Sequence, residues 1–248
     1  MDVDRHYTDP RLVAIYDVEN AARHDTDFYV DLAGELEAER VADLGCGTGV
    51  LACELAARGH LVTGVDPAAA MLDIARSRPG ADAVTWLEGT AGDLADGAHD
   101  LVVMSGHVAQ VFVDDDEWRS VLGHVHRAVA PGGLLAFESR NPATEPWRSW
   151  NKVGSFVTFL GGDGGPAFDS WVETVAVDDG LVRIVGHTEF HAPEEEHATA
   201  STLRFRTREE LEADLAACGF EVVATYGTWR GGPLQPTSGE MIFLAAAR

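Results

Sequence analysis

The run Asp43-Leu44-Gly45-Cys46-Gly47-Thr48-Gly49 sets three alternate glycines after the apolar residues Val41 and Ala42 and before a helical pattern. Glycines in a strand-to-helix turn let the backbone approach a ligand with no Cβ in the way. Open α/β sheets bind ligands there, at the carboxyl ends of their strands. A dinucleotide fingerprint needs glycine at the sixth position from the first, to seat a pyrophosphate on the helix terminus, and counting from Gly45 that position is Val50. Asp43 beside the turn would repel a pyrophosphate and attract an ammonium. Asp66 ends the next apolar run, Leu61 to Val65, where a carboxylate can accept both hydroxyls of a ribose. Together the two aspartates suit a nucleoside that carries an amino acid.

Other residues with usable chemistry follow later strands. His107 comes after the apolar run Asp100 to Met104, in Ser105-Gly106-His107-Val108-Ala109-Gln110, and its near-neutral pKa makes it a candidate general base or substrate orienter. The bland alternative is a histidine that orders its loop. Arg140, in Glu138-Ser139-Arg140-Asn141-Pro142, is a candidate anchor for a substrate carboxylate, with Trp147 and Trp150 as walls of an apolar pocket. Equally open is an ion pair between Arg140 and Glu138 or an acid of the cover helices, with the indoles filling a satellite core. Tyr16, Asp17 and Asn20 stand on a first helix that can close over the cofactor.

No carboxylate lies between Ser105 and Gln110, so no catalytic metal is expected, since hard cations want several carboxylate oxygens. His187, His191 and His197 read as exposed hairpin histidines. His124 and His126 point in different directions from one helix and make poor co-ligands.

The elements that position these groups alternate. Two N-terminal helices, broken near His24-Asp25-Thr26, form a cover over residues 1–39. From Arg40 short apolar runs alternate with helical patterns: Val41 to Leu44, Val50 to Arg58, Leu61 to Val65, Ala68 to Arg76, Val84 to Leu87, Asp100 to Met104, Glu117 to Val129 behind the N-cap Asp114, and Leu134 to Glu138 after a Pro131-Gly132-Gly133 turn. That alternation marks βαβ units and a parallel sheet over residues 40–140. Residues 141–201 change texture and are expected to form a substrate-side wall or lid, or an interface between subunits. Trp171 to Val177, Leu181 to Phe190 and Ala198 to Phe205 alternate as strands of a small antiparallel sheet, interrupted by Gly161-Gly162-Asp163-Gly164-Gly165 and by Glu194 to Glu196. The remainder, 202–248, carries a helix capped by Thr207 and Glu210 and two strands, Glu221 to Tyr226 and Met241 to Ala246.

The run Asp43 to Gly49, Asp66-Pro67 followed by Met71-Leu72, and Pro131-Gly132-Gly133 before the fifth strand together resemble the class I S-adenosylmethionine-dependent methyltransferases. The likeness is strong from Val41 to Glu138, weak in the closing helix and strands, and absent from the insertion. It implies an α/β, Rossmann-like fold: a seven-stranded, mostly parallel sheet with helices on both faces, here with a small antiparallel insertion after strand five. It also implies that Gly45, Cys46, Gly47 and Gly49 pass the methionine moiety of S-adenosyl-L-methionine, that Asp66 and Pro67 meet the ribose and that Met71 packs on the adenine. Asp43, Ser105 and Tyr16 complete the expected cofactor set. Many relatives carry Gly-Asp-Ala after strand three, whereas this chain has Gly89-Thr90-Ala91, so Thr90, Ala91, a backbone group or Asp93 must serve the adenine.

Charge bounds the acceptor. Eighteen basic against forty-one acidic residues give a net charge of −23, which repels phosphate backbones and anionic membranes, so no nucleic acid and no membrane is expected. The start, Met1 to His6, lacks the basic head and apolar centre of a secretory signal, and the three cysteines form no Cys-x-x-Cys pair, which reads as cytoplasmic. The expected function is methyl transfer to an oxygen or nitrogen of a small-molecule acceptor, without a metal, by a monomer or homodimer. The competing readings are a cofactor-binding protein that transfers nothing and a nicotinamide-dependent oxidoreductase.

Overall fold

The computed structural model describes residues 4–21, 24–161 and 165–248, and structural statements refer to those. The predicted turn residues Gly162, Asp163 and Gly164 lie outside them. Helix α1 (Pro10–Glu19) starts where Asp9 accepts a hydrogen bond from the Arg11 N–H and Pro10 takes the first turn. Helix α2 (His24–Glu35) opens with Asp25 and Asp27 in its first turn, favourable to the helix dipole. The break between them thus precedes His24, earlier than the sequence suggested.

Strands β1 (Arg40–Leu44), β2 (Leu61–Asp66), β3 (Val84–Glu88), β4 (His99–Met104) and β5 (Val129–Arg140) alternate with α3 (Val50–Ala57), α4 (Ala69–Ser77) and α5 (Asp115–Ala128). They pair in parallel in the order β3-β2-β1-β4-β5. Leu101 to Met104 are fully buried, as a central parallel strand with both faces covered must be. Strand β5 begins at Val129 and runs through Pro131-Gly132-Gly133, where a turn was expected, because Val129 pairs with His99 before the register shifts.

The insertion supplies α6 (Lys152–Ser155) and four strands: β6 (Val157–Phe159), β7 (Phe168–Asp178), β8 (Leu181–His191) and β9 (Glu194–Arg204). They pair antiparallel in chain order. The short β6 is one strand beyond the sequence reading. Glu194 to Glu196, expected as a turn, instead open β9, with Glu194 opposite His191. Helix α7 (Arg208–Ala217) carries the Thr207/Glu210 capping box, and β10 (Phe220–Tyr226) and β11 (Glu240–Ala247) complete the large sheet as β10-β11-β5, with β11 antiparallel to both neighbours.

Two apolar clusters sandwich that sheet. One gathers Trp118, Leu122, Phe137, Leu215 and Phe243 against α5 and α7; the other gathers Tyr29, Val41, Leu51, Leu55, Val103 and Ile242 against α2 and α3. Helices therefore cover both faces. Among the described residues no helix is long and apolar enough to cross a membrane.

Helix α1 is wedged between the two sheets. Leu12 and Ile15 pack on Phe168 and Phe190 of the insertion, while Val13 and Tyr16 pack with Ala68 and Met71 beside β2. These pairs lie three residues apart on two stripes of one helix. The Arg11 guanidinium lies 4.1 Å over the Phe190 ring, and His197 of β9 lies 3.5 Å from Asp9. The insertion and the cofactor half are thus joined through α1.

Candidate active site

The carboxyl ends of β1, β2, β4 and β5 meet at the glycine turn. Gly45, Gly47 and Gly49 all have positive φ, at 77°, 52° and 78°, a region that glycine enters without penalty. Their surroundings differ. A Cβ on Gly45 would lie 2.5 Å from Val108 Cγ2, and one on Gly49 would lie 2.5 Å from the Trp86 ring and 2.8 Å from Ala75 Cβ. Those two are glycines because protein already fills the space. A Cβ on Gly47 would meet only Met71 Cε, at 3.4 Å, so Gly47 is the position where the turn is open.

Asp66, nearly buried, reaches back to this turn: one carboxylate oxygen accepts the Gly47 N–H and the other the Ala68 N–H, each at 2.8 Å. Burial pushes its carboxyl above the usual range, and the two N–H donors pull against that. Each oxygen keeps a further lone pair for a ligand hydroxyl. Asp43 is fully buried at the end of β1 and Pro67 is exposed beyond β2. Burial also pushes the Cys46 thiol up, which leaves that sulfur a packing group and no nucleophile.

The N-terminal cover closes over this side. Tyr7 and Tyr16 lie with their rings 6.1 Å apart, His6 edges onto both, and the two tyrosines pack in the cluster of Met71. Burial raises the Tyr7 hydroxyl pKa, as do the nearby Tyr16, Asp4 and Asp66, while Arg140 works the other way. Asp17 of α1 accepts the Thr48 hydroxyl at 2.6 Å and pairs with Arg78, whose guanidinium also reaches the Thr48 carbonyl. Near β3, Asp93 folds back to accept the Thr90 N–H at 2.8 Å, while the Thr90 hydroxyl accepts from Gly92, and Ala91 is buried in the core. Asp93 is therefore in the first place the cap of its own turn.

On the other side of the turn stand His107 and Arg140. His107 is held at φ 64°, strained for a residue with a side chain, and its N–H donates to Glu138 Oε1 at 2.5 Å. Its Nε2 lies 3.0 Å from Glu240 Oε2 at the start of β11. Glu138 is fully buried and takes a second hydrogen bond, 2.5 Å, from the Tyr29 hydroxyl of α2. Burial raises the Glu138 carboxyl, opposed by His107 and the Tyr29 hydrogen bond.

The expected Arg140–Glu138 ion pair is not the contact made. Arg140 donates to Gln110 Oε1 at 3.0 Å and lies over the Trp150 ring at 5.4 Å. It also sits opposite Glu240 in the β5–β11 register. Trp147 packs edge-on against Phe205 at 4.7 Å. Ser105 follows β4 directly, half-buried. The insertion's histidines are not free hairpin residues: His187 stacks on Trp171 at 4.6 Å between Glu173 and Glu196, His191 pairs with Asp169, and His197 is buried between Asp9 and Glu195.

Sequence reasoning missed Tyr7, Tyr29, Gln110 and Glu240. Tyr29 and Glu138 are 109 positions apart, and His107 and Glu240 are 133 apart. No local spacing connects such pairs: the packing of α2 on the sheet brings the first together, and the strand order β4-β5-β11 the second.

Comparison with known proteins agrees with this geometry. Residues 41–133 match the methyltransferase domain family. The cypemycin N-terminal methyltransferase of a Streptomyces species is 29% identical over 212 residues, 84% of this chain and 82% of that enzyme. Demethylmenaquinone methyltransferase of Thermus thermophilus is 41% identical over 112 residues, which span about half of its length, 49%. Among solved structures, an amino pentose methyltransferase from Micromonospora echinaspora with S-adenosylmethionine bound is 26% identical, covers 93% of this chain and 96% of its own, and superposes with a TM-score of 0.67. The CcbJ methyltransferase from Streptomyces caelestis superposes at 0.76 with 20% identity, over 93% of this chain and 98% of its own. With Val50 where a dinucleotide site needs glycine, the oxidoreductase reading falls away. The strand-turn-helix opening at Gly47 and the carboxylate of Asp66 beside it agree with these likenesses: residues 41–133 are a methyltransferase domain, and the chain is similar over most of its length to S-adenosylmethionine-dependent methyltransferases.

Proposed function

We propose that the protein methylates an amine nitrogen of a small-molecule acceptor bound on the His107 side of the glycine turn. The observation that carries this reading is the group at the ends of β4, β5 and β11: His107, whose imidazole meets the Glu240 carboxylate and whose backbone N–H is held by Glu138. An amine arrives as an ammonium, attracted by carboxylates, and must give up a proton before its lone pair can attack. An imidazole is the group suited to take that proton near neutral pH. When bound, S-adenosylmethionine supplies the methyl carbon: the amine nitrogen bonds to it as its bond to sulfur breaks, and the electron pair stays on sulfur.

The other roles follow as part of the same reading. Gly47 and Asp66 hold the methionine and ribose ends of the cofactor, with Asp43, Gly45, Cys46, Gly49, Pro67 and Ser105 framing it. Met71, Thr90, Ala91 and the Tyr16 ring enclose the adenine end. Arg140 and Trp150 anchor the acceptor. Residues 1–39 are the cover, 40–140 with 202–248 the cofactor core, and 141–201 the acceptor wall. The names of two relatives, an N-terminal methyltransferase and an amino pentose methyltransferase, support an amine. The net charge of −23 supports a small acceptor over a nucleic acid, and three unpaired thiols support a reducing, cytoplasmic setting. The assembly is a monomer or homodimer, which sedimentation decides.

The test is a panel of amino sugars, peptides with free N-termini, phenols and alcohols, with S-adenosylhomocysteine release as readout. Turnover on amines is expected, and turnover confined to hydroxyl acceptors would overturn the reading. His107→Gln should lower kcat about 10²-fold, within the usual range for a general base. Its activity should recover as pH rises toward the pKa of the acceptor ammonium, where solvent does the deprotonation. A flat deficit across pH would remove His107 from the proton path.

The wedge formed by α1 gives a third expectation. Phe190→Ala should cost about 3 kcal/mol in urea denaturation, as large-to-small core changes do. By unseating α1 it should also weaken cofactor binding, although Phe190 stands on the insertion. Cofactor affinity that stays unchanged would show that the two halves act separately.

A further inference from the structure

We propose that Glu240 is a positioning residue for His107: it holds the imidazole proton on Nε2 and so presents the bare Nδ1 lone pair to the acceptor. This rests on the amine reading above. The Nε2 atom lies 3.0 Å from Glu240 Oε2, and an ionised carboxylate can only accept. The ring hydrogen must therefore sit on Nε2, and the second nitrogen is left as an acceptor. Among the described residues Nδ1 makes no hydrogen bond. Glu240 lies opposite Arg140 in the β5–β11 register.

Three separate constraints fix the ring. The His107 N–H donates to Glu138 Oε1 at 2.5 Å, which holds the backbone in its left-handed turn at φ 64°. Val108, the next residue, rests against Gly45, where a Cβ would lie 2.5 Å from its Cγ2, so the loop cannot slide along the glycine turn. Glu240 then sets the rotation of the ring. Only about a fifth of each side chain is exposed, 19% for His107 and 21% for Glu240, so the pair is less screened than a surface ion pair. The charged groups around the imidazole are Glu240 on β11 and Glu138 on β5, with Arg140 beyond Glu240 and Tyr29 of α2 beyond Glu138.

The proton step balances within these groups. The acceptor ammonium gives one N–H proton to His107 Nδ1, becoming a neutral amine with a free lone pair. The imidazole becomes an imidazolium, whose charge Glu240 stabilises, and it later loses that proton to water. Glu240 never takes the proton itself, as in other carboxylate-supported histidines.

Long-range ¹H–¹⁵N spectra of the free, uniformly labelled protein test the assignment, with His107 resonances identified by their absence in His107→Gln. In the wild type the neutral His107 ring is expected with Nε2 protonated and Nδ1 bare. Glu240→Ala should erase that tautomer preference. The same change should lower kcat about tenfold or more while acceptor KM changes little, within the usual scale for general-base catalysis. A wild-type ring protonated on Nδ1, or a tautomer unmoved by Glu240→Ala, would overturn the proposal. The spectra need neither acceptor nor cofactor. A wrong acceptor class therefore appears only in the turnover panel, and a wrong role for Glu240 appears in the spectra.

Discussion

Asp66→Ala should weaken binding of S-adenosylhomocysteine by at least 100-fold in calorimetry. A ribose hydroxyl bonded to a charged acceptor contributes about 1.5–3 kcal/mol, and on that count alone the loss would be 10- to 100-fold. The structure raises the expectation, because the same carboxylate accepts the Gly47 and Ala68 N–H groups. Alanine removes the ligand contact and releases the turn that must present it. Asp66→Asn separates the two effects: its one carbonyl oxygen can keep a single N–H, so an intermediate loss is expected. Equal affinity in wild type and Asp66→Ala would deny Asp66 both roles. Gly47→Val should be as severe for another reason. Its backbone sits at φ 52°, where a β-branched residue is a true outlier, and its side chain would project into the one opening of the turn.

The parallel core was legible because its signals are local. Buried strands read as short apolar runs, and the order glycine turn, helix, acid-ended strand can be counted along the chain. What the glycines do was only half legible. Gly45 and Gly49 are required by Val108, Trp86 and Ala75, residues that approach from elsewhere in the fold and that no spacing rule reveals. Thr90, Ala91 and Asp93 show the same limit, since the side chain that looked available for adenine is occupied in capping its own turn.

The insertion was readable as an antiparallel sheet from its alternation, yet its partner was not. The expectation of a wall, lid or interface in residues 141–201 left out α1, whose Leu12 and Ile15 pack on Phe168 and Phe190. The helix looked like a cover because its apolar residues spread over two stripes, and that spread is what a wedge between two sheets requires.

Glu138→Ala should destabilise the protein by about 3–5 kcal/mol, the scale for removing one partner from a buried charged network. Glu138 is fully buried and accepts from both the Tyr29 hydroxyl and the His107 N–H, so alanine leaves two donors without an acceptor at 1–3 kcal/mol each. Glu138→Gln keeps one carbonyl acceptor and should cost only about 1 kcal/mol near pH 5. The pH dependence carries a definite sign. Burial raises the folded-state pKa of Glu138 above its ordinary value of 4.5, so ionisation costs the folded state more than the unfolded one. Wild-type stability is therefore given up as pH rises from the ordinary value to the raised one, and glutamine, which does not ionise, loses nothing there. Urea denaturation at pH 4 and pH 7 should show the gap between wild type and Glu138→Gln narrowing at the higher pH. A gap that widens would mean that the carboxylate is stabilised as an ion by Tyr29 and His107 more than burial opposes it. Tyr29→Phe adds the control: if the Tyr29–Glu138 hydrogen bond is part of the cost, the double variant Tyr29→Phe with Glu138→Ala should be less destabilised than the sum of the two single changes.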